Sequence, residues 1–104
     1  MRRLTDYEGR PVRLTEERLA HIREHPEMQG FEDRIAETLR RPERVLESLS
    51  DPAARLYYCF YMNTRVGNKH LCVVVRVAEN DAFVLTAYLT ARRTGGRQLW
   101  PRES

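Results

Sequence analysis

KHLCVVVRVAENDAFVLTAYLT, residues 69–90, decides the fold of this chain. Its two halves, Lys69–Ala78 and Ala82–Thr90, alternate between side chains that point to opposite faces of an extended backbone. Leu71, Val73 and Val75 share one apolar face, and this pattern predicts two β-strands that each lay one face on a core. The opposite face carries the polar side chains His70, Arg76, Thr86, Tyr88 and Thr90. We look for function there, because imidazole, guanidinium and hydroxyl groups can hold a phosphate or move a proton.

The turn between these strands is constrained by side-chain parity. A two-residue loop at Asn80-Asp81 with regular pairing would set Val75 opposite Thr86 and mix the core face with the polar face. The sequence therefore predicts an odd-length loop or a β-bulge in this hairpin. Arg76 is then expected opposite Val84 or Thr86, on the face of Tyr88.

The preceding residues predict a short hairpin and several helices. Arg2–Thr5 and Val12–Leu14 pair around Glu8-Gly9-Arg10-Pro11, and Thr15 caps a helix that ends near His25 because Pro26 follows. A second helix is expected over about Gly30–Arg41 and a short third one around Val45, Leu46 and Leu49, before an aromatic strand over Arg55–Asn63. The predicted fold class is α+β, with N-terminal helices packed on one face of an antiparallel three- to four-stranded sheet. Residues 1–104 are expected to form a single domain.

Length, composition and charge restrict the classes of function. The chain has 104 residues, of which 41% are hydrophobic and 32% charged, and a formal net charge of +3 that favours anionic partners. No apolar run is long enough for a membrane helix, and Met1–Asp6 does not resemble a secretory signal. Cys59 and Cys72 lack the Cys-x-x-Cys spacing and are typical of buried thiols in a reducing compartment. We therefore predict a cytoplasmic protein with no membrane partner and no cofactor.

The two helix histidines allow three interpretations. His21 and His25 lie four residues apart, on one side of the first helix. With Glu24 they match the H-x-x-E-H zinc pattern, but no third ligand is evident and no metal is predicted. Structurally, His25 suits the helix C-terminus and His21 a bond to a carbonyl. Chemically, either imidazole could be a general acid or base.

Basic and aromatic residues surround the predicted polar face. Arg76 is either a phosphate clamp or a solvent-facing charge, and the hydroxyls of Thr86, Tyr88 and Thr90 are candidate hydrogen-bond donors. A basic rim for an RNA backbone is predicted at Lys69, His70, Arg92, Arg93 and Arg97. Tyr57 and Tyr61 are the candidates for base stacking.

Several of these segments together resemble a known family. They are the HI and HP dipeptides within residues 21–26, TL…P…V at 38–45, YY at 57–58, LCVVV at 71–75, FVLTAYLT at 83–90 and LW at 99–100. In this order they resemble the small phage- and mobile-element-associated proteins of the barnase/EndoU/colicin/RelE-like (BECR) nuclease superfamily. The resemblance spans about Ala20 to Trp100.

The resemblance implies a toxin-like ribonuclease that needs no metal. In such enzymes the ribose 2′-hydroxyl attacks its own phosphate, so the site needs a base, an acid and cations. By position, His21 or His25 is the expected base or acid, Arg76 the phosphate clamp, and Tyr88 with Thr86 or Thr90 the donors. RNA is the expected partner, with an antitoxin or immunity protein, and the chain is expected to be a monomer or homodimer. The alternatives are a non-catalytic nucleic-acid- or protein-binding module and a zinc hydrolase using His21 and His25.

Overall fold

The computed structural model describes residues 1–102. Within them the chain forms seven β-strands, two α-helices and one 3₁₀ turn at Pro26–Met28. The helices are α1 (Glu16–Arg23) and α2 (Asp33–Arg40). The strands are β1 (Arg2–Thr5), β2 (Pro11–Leu14), β3 (Arg44–Glu47), β4 (Ala54–Thr64), β5 (Gly67–Ala78), β6 (Asp81–Thr90) and β7 (Gln98–Trp100).

All seven strands join one mixed sheet in the order β1-β2-β6-β5-β4-β3-β7. The β2–β6 contact is parallel and the other neighbours are antiparallel. The predicted fold class, with helices on an antiparallel three- to four-stranded sheet, is therefore wrong. Strands make up 47% of the described residues, and the two α-helices with the 3₁₀ turn make up only 19%, so this is a mostly-sheet domain. The prediction failed because the pairings that enlarge the sheet, β2 with β6 and β3 with β7, join residues distant in sequence.

The predicted third helix is a short β-strand, β3, next to the edge strand β7. Val45 and Leu46 lie in β3, which pairs with β4 on one side and with β7 on the other. Val45 is completely buried, and its neighbour Leu46 projects to the other side of the sheet. An apolar pair followed by Leu49 fits a helical spacing as well as a strand, so local pattern alone could not decide between them.

The N-terminal predictions are largely confirmed. β1 and β2 form the expected hairpin, with Leu4 opposite Val12. The Thr15 hydroxyl accepts a hydrogen bond from the Arg18 backbone N–H and caps α1. Both helices are shorter than predicted, since α1 ends at Arg23 and α2 begins at Asp33.

The hairpin of β5 and β6 contains a β-bulge, one of the two irregularities predicted, but the bulge lies within the strands and the turn itself has two residues, Glu79 and Asn80. Val74 pairs with Thr86 and Val75 pairs with Val84, so Leu85 is the extra residue. The bulge places Val84 on the buried face with Val75, whereas the sequence predicted Val84 on the face of Thr86 and Tyr88, so that part of the prediction is wrong. Arg76 lies opposite Phe83, so its expected pairing with Val84 or Thr86 is wrong.

The sheet has two faces of different character. The helix face packs against α1 and α2 and forms the main core, which includes Leu19, Ile22, Ile35, Leu39, Tyr57, Leu71, Val73 and Val84. The outer face carries a smaller cluster of Leu56, Tyr58 and Cys72, with Leu46, Val74 and Tyr88 packed against it. No helix among the described residues is long and apolar enough to cross a membrane.

The connection from β6 to β7, residues 91–97, crosses the outer face; we call it the crossing segment. β6 and β7 stand four places apart in the sheet, so this connection must pass over β5, β4 and β3. The Tyr58 hydroxyl donates to the Thr94 carbonyl at 2.7 Å and accepts from the Thr94 N–H at 3.1 Å. Gly95 passes so close to β3 that a Cβ there would lie 3.0 Å from Leu46 Cβ. The crossing segment therefore borders the part of the outer face around His70, Phe60, Tyr88 and Thr90, a surface region that we call the hollow.

Candidate active site

The hollow on the outer face is centred on His70. His70 pairs with Phe60 of β4 on one side and with Thr90 of β6 on the other. Two residues further along the same pair of strands, on the same face, Tyr88 pairs with Cys72. Diagonal neighbours on adjacent antiparallel strands lie ~7–8 Å apart at the backbone, within reach of long side chains. The alternation of β5 and β6 thus places an imidazole beside a phenol and a threonine hydroxyl.

The imidazole of His70 sits between aromatic rings. Its centroid lies 4.9 Å from the Phe60 ring and 6.4 Å from the Tyr58 ring, both in edge-on geometry. Its Nδ1 atom is buried and has no hydrogen-bond partner among residues 1–102. An unpaired buried polar atom costs about 1–3 kcal/mol, and such atoms call for an explanation in a native fold.

The surroundings keep His70 neutral. Desolvation lowers the pKa of His70, and the positive charge of Arg93 lowers it further, against a smaller opposite effect of Glu43. A neutral imidazole at neutral pH has a free lone pair. His70 therefore has the protonation state that a general base requires.

The phenol of Tyr88 remains protonated over the physiological range. Burial raises the pKa of Tyr88, and the neighbouring Cys72 thiol raises it further. Tyr88 as a whole residue is partly exposed, and its protonated hydroxyl can donate a hydrogen bond.

Two arginines form the rim of the hollow. Arg92 and Arg93 are exposed and make no ion pair within the described part of the chain. The Thr90 hydroxyl accepts from the Arg92 N–H and donates to the Arg92 carbonyl, which sets the path of the chain as it leaves β6. Unpaired guanidinium groups beside a hydroxyl-bearing hollow are suited to phosphate oxygens.

The helix histidines do not reach this hollow. α1 buries Leu19 and Ile22 in the core of the helix face, so His21 and His25 lie on the other side of the sheet from Tyr88. Their imidazole rings are 53% and 45% exposed and lie near Glu24 and Glu27, respectively. The predicted convergence of these histidines with Arg76 and Tyr88 is therefore wrong.

Three predicted cations also lie elsewhere. Arg76 is four residues from Cys72, roughly 13 Å along β5, and its Nη1 lies 3.5 Å from Asp51 Oδ2. Arg97 pairs with Glu47 at the far end of the crossing segment. Lys69 is opposite Tyr61, whose side chain packs on the helix face. Of the predicted polar set, the outer face gathers His70, Thr86, Tyr88 and Thr90, with Arg92 and Arg93 at its rim.

The two tyrosines predicted to stack on bases are structural. Tyr57 is completely buried, and its hydroxyl donates to Asp6 Oδ2 at 2.7 Å. Tyr61 lies on the helix face, where its hydroxyl donates to Glu37 Oε1 at 3.1 Å. The aromatic residues of the hollow are instead Tyr58 and Phe60. Tyr58 and Phe60 alternate with Tyr57 and Tyr61 along β4, so their side chains point to the same face as Leu56. This alternation could have identified them from the sequence, and in the sheet Phe60 lies directly opposite His70.

No cluster of three or more His, Cys, Asp or Glu side chains within residues 1–102 is arranged to hold a metal ion. His21 and His25 therefore have no third protein ligand there, and the zinc interpretation gains no support. Comparisons with protein-family models, with curated proteins and with solved structures found no match. The function must accordingly be argued from the side chains themselves.

Proposed function

We propose that this protein is a metal-independent ribonuclease whose active site is the hollow on the outer face, with His70 as general base. The observation that carries the proposal is the imidazole of His70: its lowered pKa favours the neutral form, and its Nδ1 is buried, which leaves Nε2 as the ring nitrogen that can take a proton from a substrate. Tyr88 lies on the neighbouring strand, and Arg93 is close enough to lower that pKa. These groups supply the base, the donor and the cation that cleavage through the ribose 2′-hydroxyl requires.

The proposed reaction is balanced without a cofactor. His70 Nε2 takes the proton of the 2′-hydroxyl, and the 2′-oxygen forms a bond to the adjacent phosphorus. The bond from phosphorus to the 5′-oxygen breaks, and that oxygen takes the phenolic proton of Tyr88. The products are a 2′,3′-cyclic phosphate and a 5′-hydroxyl, and exchange with solvent restores both side chains.

The remaining groups bind the substrate. Arg92 and Arg93 neutralise charge on the non-bridging phosphate oxygens as the phosphorane forms. Phe60, which is 43% exposed, offers a ring on which a neighbouring base stacks. Two arginine contacts to phosphates make binding sensitive to salt.

The cellular setting follows from the same features. Cys59 and Cys72 are free and buried, which is consistent with a reducing compartment such as the cytoplasm. An antitoxin or immunity protein would inhibit by covering the hollow; this partner and a homodimer stay predictions.

Purified protein incubated with mixed RNA in EDTA tests the proposal. We expect cleavage products ending in 2′,3′-cyclic phosphate, and a His70→Gln variant that is about 10²–10⁴-fold slower. The matched control is the double variant His21→Gln/His25→Gln, which removes two exposed imidazoles and should cleave like the wild type.

Three results would contradict the proposal. Salt-sensitive RNA binding without cleavage would favour the non-catalytic binding module. Activity abolished by EDTA would favour a metal enzyme. Loss of cleavage in the double variant but not in His70→Gln would show that His21 or His25, and not His70, is the catalytic histidine.

A further inference from the structure

A cavity lies on the helix side of the sheet, on the face opposite to His70. It has a volume of about 930 Å³ and is bounded by the β1–β2 turn, the end of α2, β4 and β7. Five arginines line it: Arg10, Arg40, Arg41, Arg55 and Arg102. We call it the arginine cavity. Its lining includes one acidic residue, Glu8, so it concentrates positive charge in a chain whose formal net charge is only +3.

Part of this charge is not neutralised by the protein. Arg55 Nη1 lies 3.2 Å from Glu8 Oε1, and Arg10 Nη1 lies 2.7 Å from the buried carboxylate of Asp6. Arg40, Arg41 and Arg102 are exposed and have no ion-pair partner within residues 1–102. Like charges held together repel each other, and a bound anion removes that repulsion. Guanidinium groups match phosphate oxygens with two hydrogen bonds at once.

The arginine cavity also offers aromatic surface. Trp100 is 39% exposed, and its ring lies 5.2 Å from that of Tyr7 at an angle of 40°. Tyr7 in turn contacts the buried ring of Tyr57 edge-on at 6.1 Å, so the wall is supported by the core. A planar base gains about 1–3 kcal/mol by stacking on such a ring.

The wall is rigid because Asp6 holds the β1–β2 turn. Asp6 Oδ1 accepts from the backbone N–H groups of Glu8 and Arg10, each at 2.9 Å. Asp6 Oδ2 accepts from Arg10 Nη1 and from the Tyr57 hydroxyl, each at 2.7 Å. Arg10 is therefore positioned before any ligand arrives, and less entropy is lost on binding.

We propose that the arginine cavity binds a nucleotide carrying two or three linked phosphates, either free or as the 5′ end of an RNA. The base stacks on Trp100, and the phosphates lie against the arginines without a protein partner, Arg40, Arg41 and Arg102. A cavity of this volume is far larger than one phosphate needs and is typical of sites for molecules of nucleotide size. The combination of guanidinium groups with an exposed indole favours a nucleotide over a purely acidic chain.

Trp100 is the single tryptophan of the chain, so its fluorescence reports on this cavity directly. We expect ATP and GTP to quench it saturably and AMP to bind at least tenfold more weakly. An RNA oligonucleotide with a 5′-triphosphate, compared with the same oligonucleotide carrying a 5′-hydroxyl, shows whether the ligand is an RNA end. Quenching by free nucleotides alone identifies the free nucleotide as the source.

A pair of charge-matched variants localises the binding. Arg40→Ala/Arg41→Ala should lose at least tenfold in affinity. Arg2→Ala/Arg65→Ala removes the same charge from exposed residues outside the cavity and should bind like the wild type. Calorimetry with Trp100→Leu should show weaker nucleotide binding than the wild type. As a second measurement, ATP should raise the unfolding temperature of the wild type above its value without nucleotide.

Several results would overturn the proposal. These are equal affinity of the two double variants, tripolyphosphate binding as tightly as ATP, or a polyglutamate peptide competing as well as ATP. No RNA cleavage is measured, so the outcome is independent of the activity proposed for His70.

Discussion

The hydrogen bond between Tyr57 and Asp6 offers the sharpest test of the structure. Tyr57 is completely buried and Asp6 is 3% exposed, and the phenol donates to the carboxylate at 2.7 Å. Burial raises the pKa of Tyr57, and the nearby Asp6 carboxylate raises it further, so the phenol stays a donor. The pair joins residues 51 positions apart and ties the N-terminal turn to the centre of the sheet.

Tyr57→Phe removes this donor with little change in shape. A hydrogen bond to a charged group contributes about 1.5–3 kcal/mol. Asp6 Oδ2 keeps its contact with Arg10, so the carboxylate is not left entirely unpaired. We therefore expect the free energy of unfolding to fall by about 2 kcal/mol, near the middle of that range.

Urea unfolding of Tyr57→Phe and of a matched variant, Tyr61→Phe, measures the effect. Tyr61 is on the same strand and face, but its partner Glu37 is 49% exposed, so water replaces that bond, and its second partner, the buried Thr38 hydroxyl, is neutral and 3.3 Å away. The free energy of unfolding of Tyr61→Phe should therefore fall by about 1 kcal/mol or less. For a slope of roughly 1–1.5 kcal/mol per M, the midpoint of Tyr57→Phe should fall by about 1.5 M. Equal midpoints for the two variants would refute the buried bond.

Further predictions concern the crossing segment, the hollow and the core. Gly95→Ala should lower the free energy of unfolding by about 1–3 kcal/mol in urea titrations and slow RNA cleavage, because its φ is +150° and a Cβ would meet Leu46 Cβ at 3.0 Å. As the pH falls from about 6.5, wild-type stability should decrease, since the pKa of His70 is lowered in the folded state and the unfolded chain binds the proton first. Urea titrations at pH 7.5 and pH 5 should show that His70→Gln lacks this part of the loss. Ile22→Ala should lower stability by about 2–5 kcal/mol in thermal or urea unfolding, because Ile22 is completely buried under α1. Cys72 should react with a thiol reagent at pH 8 only after unfolding, because burial raises its thiol pKa.

The central hairpin was the most predictable part of this molecule. The alternation in β5 and β6 depends on neighbours within one strand, and a regular two-residue loop at Asn80-Asp81 would have set Val75 opposite Thr86, so an odd-length loop or a bulge was expected. The side chains of the hollow were predicted in part by the same alternation, since His70, Tyr88 and Thr90 occupy strand positions that point away from the core.

The alternation of side chains within a strand could not predict the two short strands at one end of the sheet, β3 and β7. β3 and β7 are short and are held by hydrogen bonds to strands distant along the chain, so their own residues carry little signal. The placement of α1 on the helix face was equally hidden, because amphipathicity shows which side of a helix is buried and not which face of a sheet buries it. This is why His21 and His25 were expected on the wrong side.

By itself, the order of apolar and polar residues determined that β5 and β6 form a hairpin with one face on the core, because side-chain direction along a strand depends on local geometry. Only the tertiary structure decided which polar groups meet. The path of the crossing segment brings Arg93 to His70, and four separate segments bring five arginines to one cavity. Which side chains lie close together in these two places depends on contacts between residues distant in sequence. The free energy of those contacts is distributed over the whole sheet, so no local stretch of sequence reveals it.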